Sequence, residues 1–225
     1  MRRALSIWDS TVGKKIVMAV TGLILFLFVL GHAFGNLKVY QGREAFNHYA
    51  EGLRAFGAPL LAPSQALWLV RIVLIVSVLL HIWAGVQLNL RSRAMRPRGY
   101  RKYEHLEFAF ASRTMFWGGL LIFAFVTYHL LDFTFGPTNP SFVRGDAYHN
   151  FVASFRVPWI AGGYILAMIP LGFHLYHGFW SMLQTLGANN PRYNIYRRPT
   201  ALVLAWAVVL VNISFPLAVQ LGIVG

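Results

Sequence analysis

The sequence predicts an all-α, polytopic membrane protein with five transmembrane helices. Of its 225 residues, 57% are hydrophobic and only 12% are charged, which is about half the charged fraction of a typical soluble domain. In the hydrocarbon region each backbone amide must be paired within its own segment, so spanning segments form helices rather than strands. The apolar stretches that approach the ~20 residues of a spanning helix are roughly 16–35, 67–90, 113–135, 158–185 and 200–222.

Basic residues are distributed unevenly over the loops, and this asymmetry predicts the orientation. Fourteen Lys and Arg residues lie in the N-terminal segment and in the second and fourth loops, against five in the loops opposite. The positive-inside rule then places the N-terminus in the cytoplasm and the C-terminus outside. The first apolar run begins only after Lys14 and Lys15 and no small-residue cleavage site follows it, so we expect no cleaved signal peptide. Residues 1–225 are predicted to form a single transmembrane domain.

Composition also limits the chemistry that the chain can perform. The net charge of +13 follows from the topology and does not indicate nucleic-acid binding. The absence of cysteine from the sequence excludes disulfides, thiolate metal sites, iron–sulfur clusters and covalently attached haem c. No dinucleotide fingerprint is present either.

Two of the predicted outer loops differ in character. The loop 36–66 is expected to contain a short helix, because apolar residues in "GREAFNHYAEGLRAFG" recur near helical spacing. The loop 136–157 opens on the turn-forming run "GPTNP". On the inner side, "RSRAMRPRGYRKYEHLEFAFASR" is basic and then amphipathic, and we expect it to lie along the lipid headgroups.

Four of the five spans carry histidines, and the depths of these histidines sort them into two levels. Counted at ~1.5 Å per residue from the cytoplasmic end of each helix, His32 and His129 lie ~24–25 Å up. His81 lies ~15 Å up, and the fourth span offers His174 at ~18 Å or His177 at ~13 Å. The outer level therefore pairs His32 with His129, and the inner level pairs His81 with one of the other two.

Two imidazoles that face each other at one depth in a helical bundle suit the axial ligation of haem b. The neighbouring glycines in "GHAFG", "HIWAG" and "HLYHG" would let a flat porphyrin approach the backbone. A single histidine could instead be a hydrogen-bonding strut between helices. A proton relay would need carboxylates between the levels, and only Asp132 lies within a span, near its outer end. The paired depths favour two b haems, with the first four spans forming the bundle that holds them.

Four sequence segments, one per histidine-bearing span, follow one another in a specific order: "KKIVMAVTGLILFLFVLGHAFGNL", "LLHIWAGVQL", "TYHLLDF" and "FHLYHGFWSMLQTLG". Together with a fifth span that lacks histidine, they make the chain resemble the single-subunit, five-helix, di-haem cytochrome b membrane anchor of succinate dehydrogenases and fumarate reductases. The resemblance covers nearly the whole chain. It implies that His32 and His129 hold the haem distal to the soluble subunits, and that His81 and His174 hold the proximal one. It leaves His177 as a residue close to the proximal haem that does not bind iron.

The resemblance also implies partners and a location. They are an iron–sulfur subunit and a flavoprotein with FAD on the cytoplasmic side, a membrane quinone (menaquinone or ubiquinone), and the bacterial cytoplasmic membrane. The basic cytoplasmic segments are expected to dock the soluble subunits, or else only to set topology and bind anionic lipid. The alternatives are an anchor of another quinone-linked enzyme, such as a hydrogenase or formate dehydrogenase, and a haem-free transporter that uses intramembrane histidines.

The sequence marks the quinone site less clearly than the histidine pairs. Proton exchange near the distal haem has Glu44, His48, Glu51 and Asp132 as candidates, and a site near the proximal haem would involve Ser10, Thr11 or His177. Arg71 lies early in the second span, about 6 Å outward of the outer histidines. A charge at that depth is expected to pair with a distal-haem propionate or with Asp132, or to extend to the membrane surface.

Overall fold

A computed structural model describes residues 8–95, 106–188 and 190–225, of which 106–113 are described by their backbone only. This part of the chain is helical, contains no strand, and includes five helices long and apolar enough to cross a membrane. The predicted all-α polytopic fold class is confirmed. The spanning helices are α1 (Thr11–Asn36), α3 (Gln65–Ala94), α4 (Leu106–Leu130), α6 (Pro158–Thr185) and α7 (Pro191–Gln220).

The observed helices extend beyond the predicted apolar stretches at several ends. Ser10 caps α1 by accepting a hydrogen bond from the Gly13 N–H at 2.9 Å, which starts the helix at Thr11. Asn190 caps α7 in the same way, by accepting from the Arg192 N–H at 2.9 Å. The proline that follows Asn190 takes a position in the first helical turn, where its missing N–H costs nothing. Hydropathy locates the apolar middle of a helix and does not detect such polar first turns.

The outer end of the bundle, so named from the predicted topology, is closed by short elements. A 3₁₀ turn (Leu37–Gln41) leads into α2 (Arg43–Ala55), which confirms the helix predicted in loop 36–66. A second short helix, α5 (Ala147–Phe155), lies in the loop 136–157, where only turns were predicted. Its signal in the sequence is an N-cap aspartate, Asp146, followed by buried apolar residues at helical spacing.

Four of the spanning helices surround a common interior. Helix α1 packs against α3 and α6, and α4 packs against α6, whereas α3 and α4 touch at only a few points. The pairs α1–α4 and α3–α6 are therefore the diagonals of a four-helix arrangement, and α7 lies outside it against α6. Side chains on one diagonal face each other across the interior of the bundle.

Candidate functional site

The four intramembrane histidines predicted as a set lie in two pairs on the two diagonals of the bundle. The ring centroids of His32 on α1 and His129 on α4 are 5.8 Å apart. Those of His81 on α3 and His174 on α6 are 6.1 Å apart. The outer pair is the one that depth predicted, and the inner pair is one of the two that depth left open, namely the one that the resemblance implies. Iron ligation by these side chains stays a prediction.

Of the two histidines on α6, the structure brings only one to the inner pair. His174 faces His81, whereas the ring of His177 lies 6.1 Å from that of Trp180. The guanidinium of Arg198 lies over the same indole, 5.7 Å from its centroid. His177 is therefore placed at the α6–α7 side of the inner level, and its predicted role beside a cofactor stays a prediction.

The two histidine pairs are further apart along the bundle than the depth counts predicted. On α1, Thr21 contacts His81 and His32 contacts His129, and the rise from Thr21 to His32 is about 16 Å. The corresponding rise on α4, from Gly119 beside the inner pair to His129, is about 15 Å. The difference arises because the counts took Lys15 and Arg91 to lie at one depth, whereas Thr21, six residues from Lys15, is level with His81, ten residues from Arg91.

The inner pair is oriented by groups on α1. The Thr21 hydroxyl donates its proton to the Val17 carbonyl at 2.7 Å, and its oxygen lies 3.2 Å from His81 Nδ1. With its own proton used, that oxygen accepts the Nδ1–H of the imidazole, which leaves the Nε2 lone pair available to a metal. Gly22 follows Thr21, and a Cβ there would lie 3.2 Å from His81 Cε1. The glycine thus allows the ring its close approach to α1.

The second member of the inner pair has unused hydrogen-bonding capacity. Nδ1 of His174 is buried and has no hydrogen-bond partner within the described part of the chain. An unsatisfied buried nitrogen costs about 1–3 kcal/mol, and a hydrogen bond between helices through Nδ1 is not what places this ring among the described residues. The nearest glycine on α4, Gly119, would place a Cβ 3.8 Å from His174 Cε1, an ordinary contact distance.

The outer pair has polar neighbours on both sides. The ring of His32 stacks on Phe28, with centroids 5.4 Å apart, and its Nε2 lies 3.3 Å from Asn36 Nδ2. Metal binding through that nitrogen would replace the Asn36 hydrogen bond. Nδ1 of His129 lies 3.4 Å from the hydroxyl of Tyr164, which donates to Asp132 Oδ2 at 2.8 Å.

The donor set fits an iron porphyrin better than a bare metal ion. Among the described residues no three His, Cys, Asp or Glu side chains converge to hold an ion, whereas a porphyrin supplies its own ring nitrogens and needs only the axial ligands. An imidazole nitrogen binds a metal at about 2 Å, so two rings that bind one ion from opposite sides have centres roughly 6 Å apart. Both histidine pairs have centroid separations close to that value.

The glycines beside the histidines divide into two groups. At Gly31, Gly85 and Gly178 an added Cβ would meet no atom within 4 Å, so the protein leaves space next to these positions. Gly35 behaves differently, because a Cβ there would collide with the hydroxyl of Tyr49 on α2. Its role is to let α2 pack on α1, and it makes no room for a flat ligand.

The candidate quinone residues do not form one cluster. Glu44, His48 and Glu51 all lie on α2 and are exposed, and Ser10 lies at the opposite end of the bundle as the cap of α1. Asp132 was expected near the outer end of its span. It lies there in a π-helical turn (Leu131–Phe135) and is completely buried.

Arg71 is exposed on α3, with its guanidinium 5.0 Å from the centroid of the Trp68 ring. Both hydrogen bonds found on Asp132 come from hydroxyl groups, so the alternative of an Arg71–Asp132 ion pair is not realised among the described residues. A contact between Arg71 and a haem propionate stays a prediction.

One residue assigned to the basic cytoplasmic surface is not on the surface. Lys14 is only 4% exposed: its Nζ donates to Gln87 Oε1 at 3.0 Å and lies 5.4 Å from the centroid of the Trp83 ring. It turns inward because it follows the first turn of α1 on the face that packs against α3. Lys15, Arg192 and Arg198 are exposed as expected. The predicted contributions of residues 1–7 and 96–105 lie outside the described residues.

Sequence reasoning missed the hydroxyl groups that contact the histidines and Asp132. Thr21, Tyr164 and Ser154 are each isolated polar residues in apolar runs, a weak signal because a Ser or Thr in a spanning helix commonly bonds its own backbone. Thr21 does so, and it uses the remaining lone pair for His81. Only the packing of the helices shows which hydroxyls reach a histidine.

The chain was compared with known protein families, with curated proteins and with solved structures, and no match was found in any of the three. The fold class therefore rests on the five apolar helices. Any assignment of function rests on the two histidine pairs and on the sequence segments that contain them.

Proposed function

We propose that this chain is the di-haem cytochrome b membrane anchor of a succinate:quinone oxidoreductase, either a succinate dehydrogenase or a fumarate reductase. In this role it carries electrons between an iron–sulfur subunit and membrane quinone, and catalysis belongs to the assembled complex. The observation that carries the proposal is the presence of two histidine pairs on the two diagonals of one bundle, 5.8 and 6.1 Å between centroids. A single pair would be compatible with many helix contacts, whereas two pairs at two levels match the arrangement that the resemblance implies.

Each of the two proposed haems would be held by two histidines from two different spanning helices. His32 and His129 would bind the outer haem iron, and His81 and His174 the inner one. Haem b, when bound, supplies one-electron redox chemistry at each level. Thr21 holds the His81 ring with Nε2 free, as the hydrogen bond at Nδ1 requires.

The assignment to this enzyme class rests on the sequence segments and on what the chain lacks. The sequence has no cysteine for iron–sulfur clusters and no dinucleotide fingerprint. Two haems at two depths in the membrane would therefore need a soluble protein as electron donor or acceptor. The exposed basic residues at the cytoplasmic end, Lys15, Arg192 and Arg198 among them, would face an iron–sulfur subunit and its FAD-containing flavoprotein partner. The location proposed with this role is the bacterial cytoplasmic membrane.

The decisive experiment is spectroscopic. The protein purified in detergent should show a reduced-minus-oxidised spectrum of b-type haem, and pyridine haemochrome analysis should give about two haems per chain. Alanine at His32 or His129 should remove one haem, and alanine at His81 or His174 the other. Protein that contains no haem when expressed with adequate haem supply would reject the proposal in favour of a haem-free transporter.

A second measurement separates the proposed complex from other quinone-linked enzymes. Affinity purification of the tagged chain from its native membrane should retrieve an iron–sulfur protein and a flavoprotein, and the preparation should reduce quinone with succinate or reduce fumarate with quinol. Two haems together with subunits of a hydrogenase or formate dehydrogenase would assign the chain to that enzyme instead.

A further inference from the structure

A completely buried carboxylate lies close to the outer histidine pair. Asp132 has 0% relative exposure, and its Oδ2 accepts two hydrogen bonds, from Ser154 Oγ at 2.6 Å and from Tyr164 OH at 2.8 Å. Its Oδ1 is buried without a hydrogen-bond partner in the described part of the chain. Burying a carboxylate is costly unless neighbouring groups compensate, and helix packing alone would be served as well by an apolar residue.

Tyr164 joins this carboxylate to the outer histidine pair. Its hydroxyl lies 3.4 Å from His129 Nδ1. Because the single hydroxyl proton is donated to Asp132 at the shorter distance, the oxygen lone pair is left to accept the Nδ1–H of His129. The order of donors and acceptors therefore runs from imidazole to hydroxyl to carboxylate.

The tyrosine ring is held in place by aromatic neighbours. Phe125, Phe133 and Phe155 contact it edge to face, with centroid distances of 5.1, 5.8 and 4.9 Å. Such contacts restrict the ring to one orientation. The hydroxyl of Tyr164 is thus directed by packing as well as by its hydrogen bonds.

The π-helical turn explains how Asp132 reaches this position. His129 lies in the last turn of α4, and Asp132 follows it by three residues, in the turn that continues the helix. The widened turn Leu131–Phe135 re-aims the backbone at the end of α4, so that Asp132 meets Ser154 of α5 and Tyr164 of α6. Widened turns of this kind are frequently found at functional sites.

We propose that Asp132 and Tyr164, supported by Ser154, position His129 as an iron ligand and raise its electron donation to the outer haem iron. Tyr164 accepts the Nδ1–H of His129, which fixes the ring orientation and directs the Nε2 lone pair to the metal. The carboxylate polarises the tyrosine hydroxyl and so strengthens that hydrogen bond. This inference rests on the proposed function, since it concerns the outer of the two haem sites.

Substitution of Tyr164 by phenylalanine tests the inference, and Tyr128→Phe is a matched control. Both tyrosines lie in the same aromatic cluster, with centroids 6.0 Å apart, but only the Tyr164 hydroxyl contacts His129. Tyr164→Phe keeps the ring and removes the acceptor. We expect an upward shift in the midpoint potential of the outer haem, because a less electron-rich imidazole stabilises ferric iron less. The low-spin EPR signal of that haem should shift with it.

The results divide into clear outcomes. A change in the outer haem's potential or EPR signal, or its selective loss, in Tyr164→Phe but not in Tyr128→Phe supports the proposal. Asp132→Asn should then shift the potential in the same direction. Two haems with unchanged potentials and EPR signals in Tyr164→Phe would overturn the proposal and leave the proposed function intact. Equal loss of haem in both variants would also overturn it, because the role of Tyr164 would then be packing. Wild-type protein without haem would reject the proposed function itself.

Discussion

The side-chain oxygen of Thr21 and Nδ1 of His81 lie 3.2 Å apart and join the first two spanning helices at the inner histidine level. The hydroxyl proton of Thr21 is already donated to Val17, so the contact has a defined direction, from imidazole to hydroxyl. A neutral histidine held in this way presents Nε2 to a metal, which is the arrangement commonly found around metal-bound histidines.

Substitution of Thr21 by valine should disturb only the inner haem. Valine keeps the shape of threonine and removes the acceptor, so the His81 ring loses its fixed orientation and some electron density. We expect partial loss of the inner haem, or an increase in its midpoint potential, in redox titrations of the purified protein. Thr21→Ser retains the hydroxyl and should behave like wild type. Identical titrations for the valine and wild-type proteins would show that the contact has no such role.

The two histidines on α6 provide a second matched comparison. His174 faces His81, and His177 faces Trp180, so alanine at His174 should reduce the haem content from about two to about one per chain. Alanine at His177 should leave the haem content unchanged. Pyridine haemochrome analysis of both variants measures the difference. Loss of a haem in His177→Ala, with His174→Ala unaffected, would reverse the assignment of the fourth ligand.

Hydropathy predicted the spanning helices, and histidine depth predicted the two levels at which the histidines lie. The spans follow from apolar stretches, and depth alone selects His129 as the partner of His32. Depth could not choose between His174 and His177, because the choice depends on the rotation of α6 about its own axis. That rotation is set by packing against α1, α4 and α7, which a single sequence does not display.

The polar groups that surround the histidines could not be predicted either, because they come from other helices, whose packing a single sequence does not show. Tyr164 and Ser154 reach Asp132 from two other helices, and the π-helical turn that makes the meeting possible has no marker in the sequence. The position of Lys14, at the inner end of the bundle, was not predictable from the sequence for the same reason. Its charge predicted a surface position, whereas the close packing of α1 against α3 buries it beside Gln87 and Trp83.

The hydrogen bond between the buried Lys14 and the half-buried Gln87 predicts an unequal response to substitution. Gln87→Leu leaves the ammonium of Lys14 buried without its hydrogen bond, and we expect a loss of about 1.5–3 kcal/mol in stability. Lys14→Met removes the charge and keeps the chain length, so it should cost less, as is common when a buried charge is replaced by an apolar group. Thermal unfolding of the detergent-solubilised protein measures both changes.

Two further variants complete the Lys14 comparison. The double variant Lys14→Met with Gln87→Leu should recover much of the stability lost in Gln87→Leu, because neither polar partner is then left alone. Lys15→Met, at the exposed neighbouring position, should leave the unfolding temperature unchanged. Additive losses in the double variant would show that the two side chains do not depend on each other.

The outer end of the molecule should lose stability in acid through Asp146. Burial alone would raise the pKa of this carboxyl, but hydrogen bonds from the His149 N–H, Asn47 and Arg43 outweigh it and lower the pKa to about 2. Since an unfolded aspartate titrates near pH ~3.9, the stabilisation is fully present above about pH 4 and is lost as the pH falls towards 2. Asp146→Asn cannot titrate, so its unfolding temperature should fall less steeply than that of wild type across this interval. Equal slopes for wild type and Asp146→Asn would mean that other carboxyl groups control the acid response.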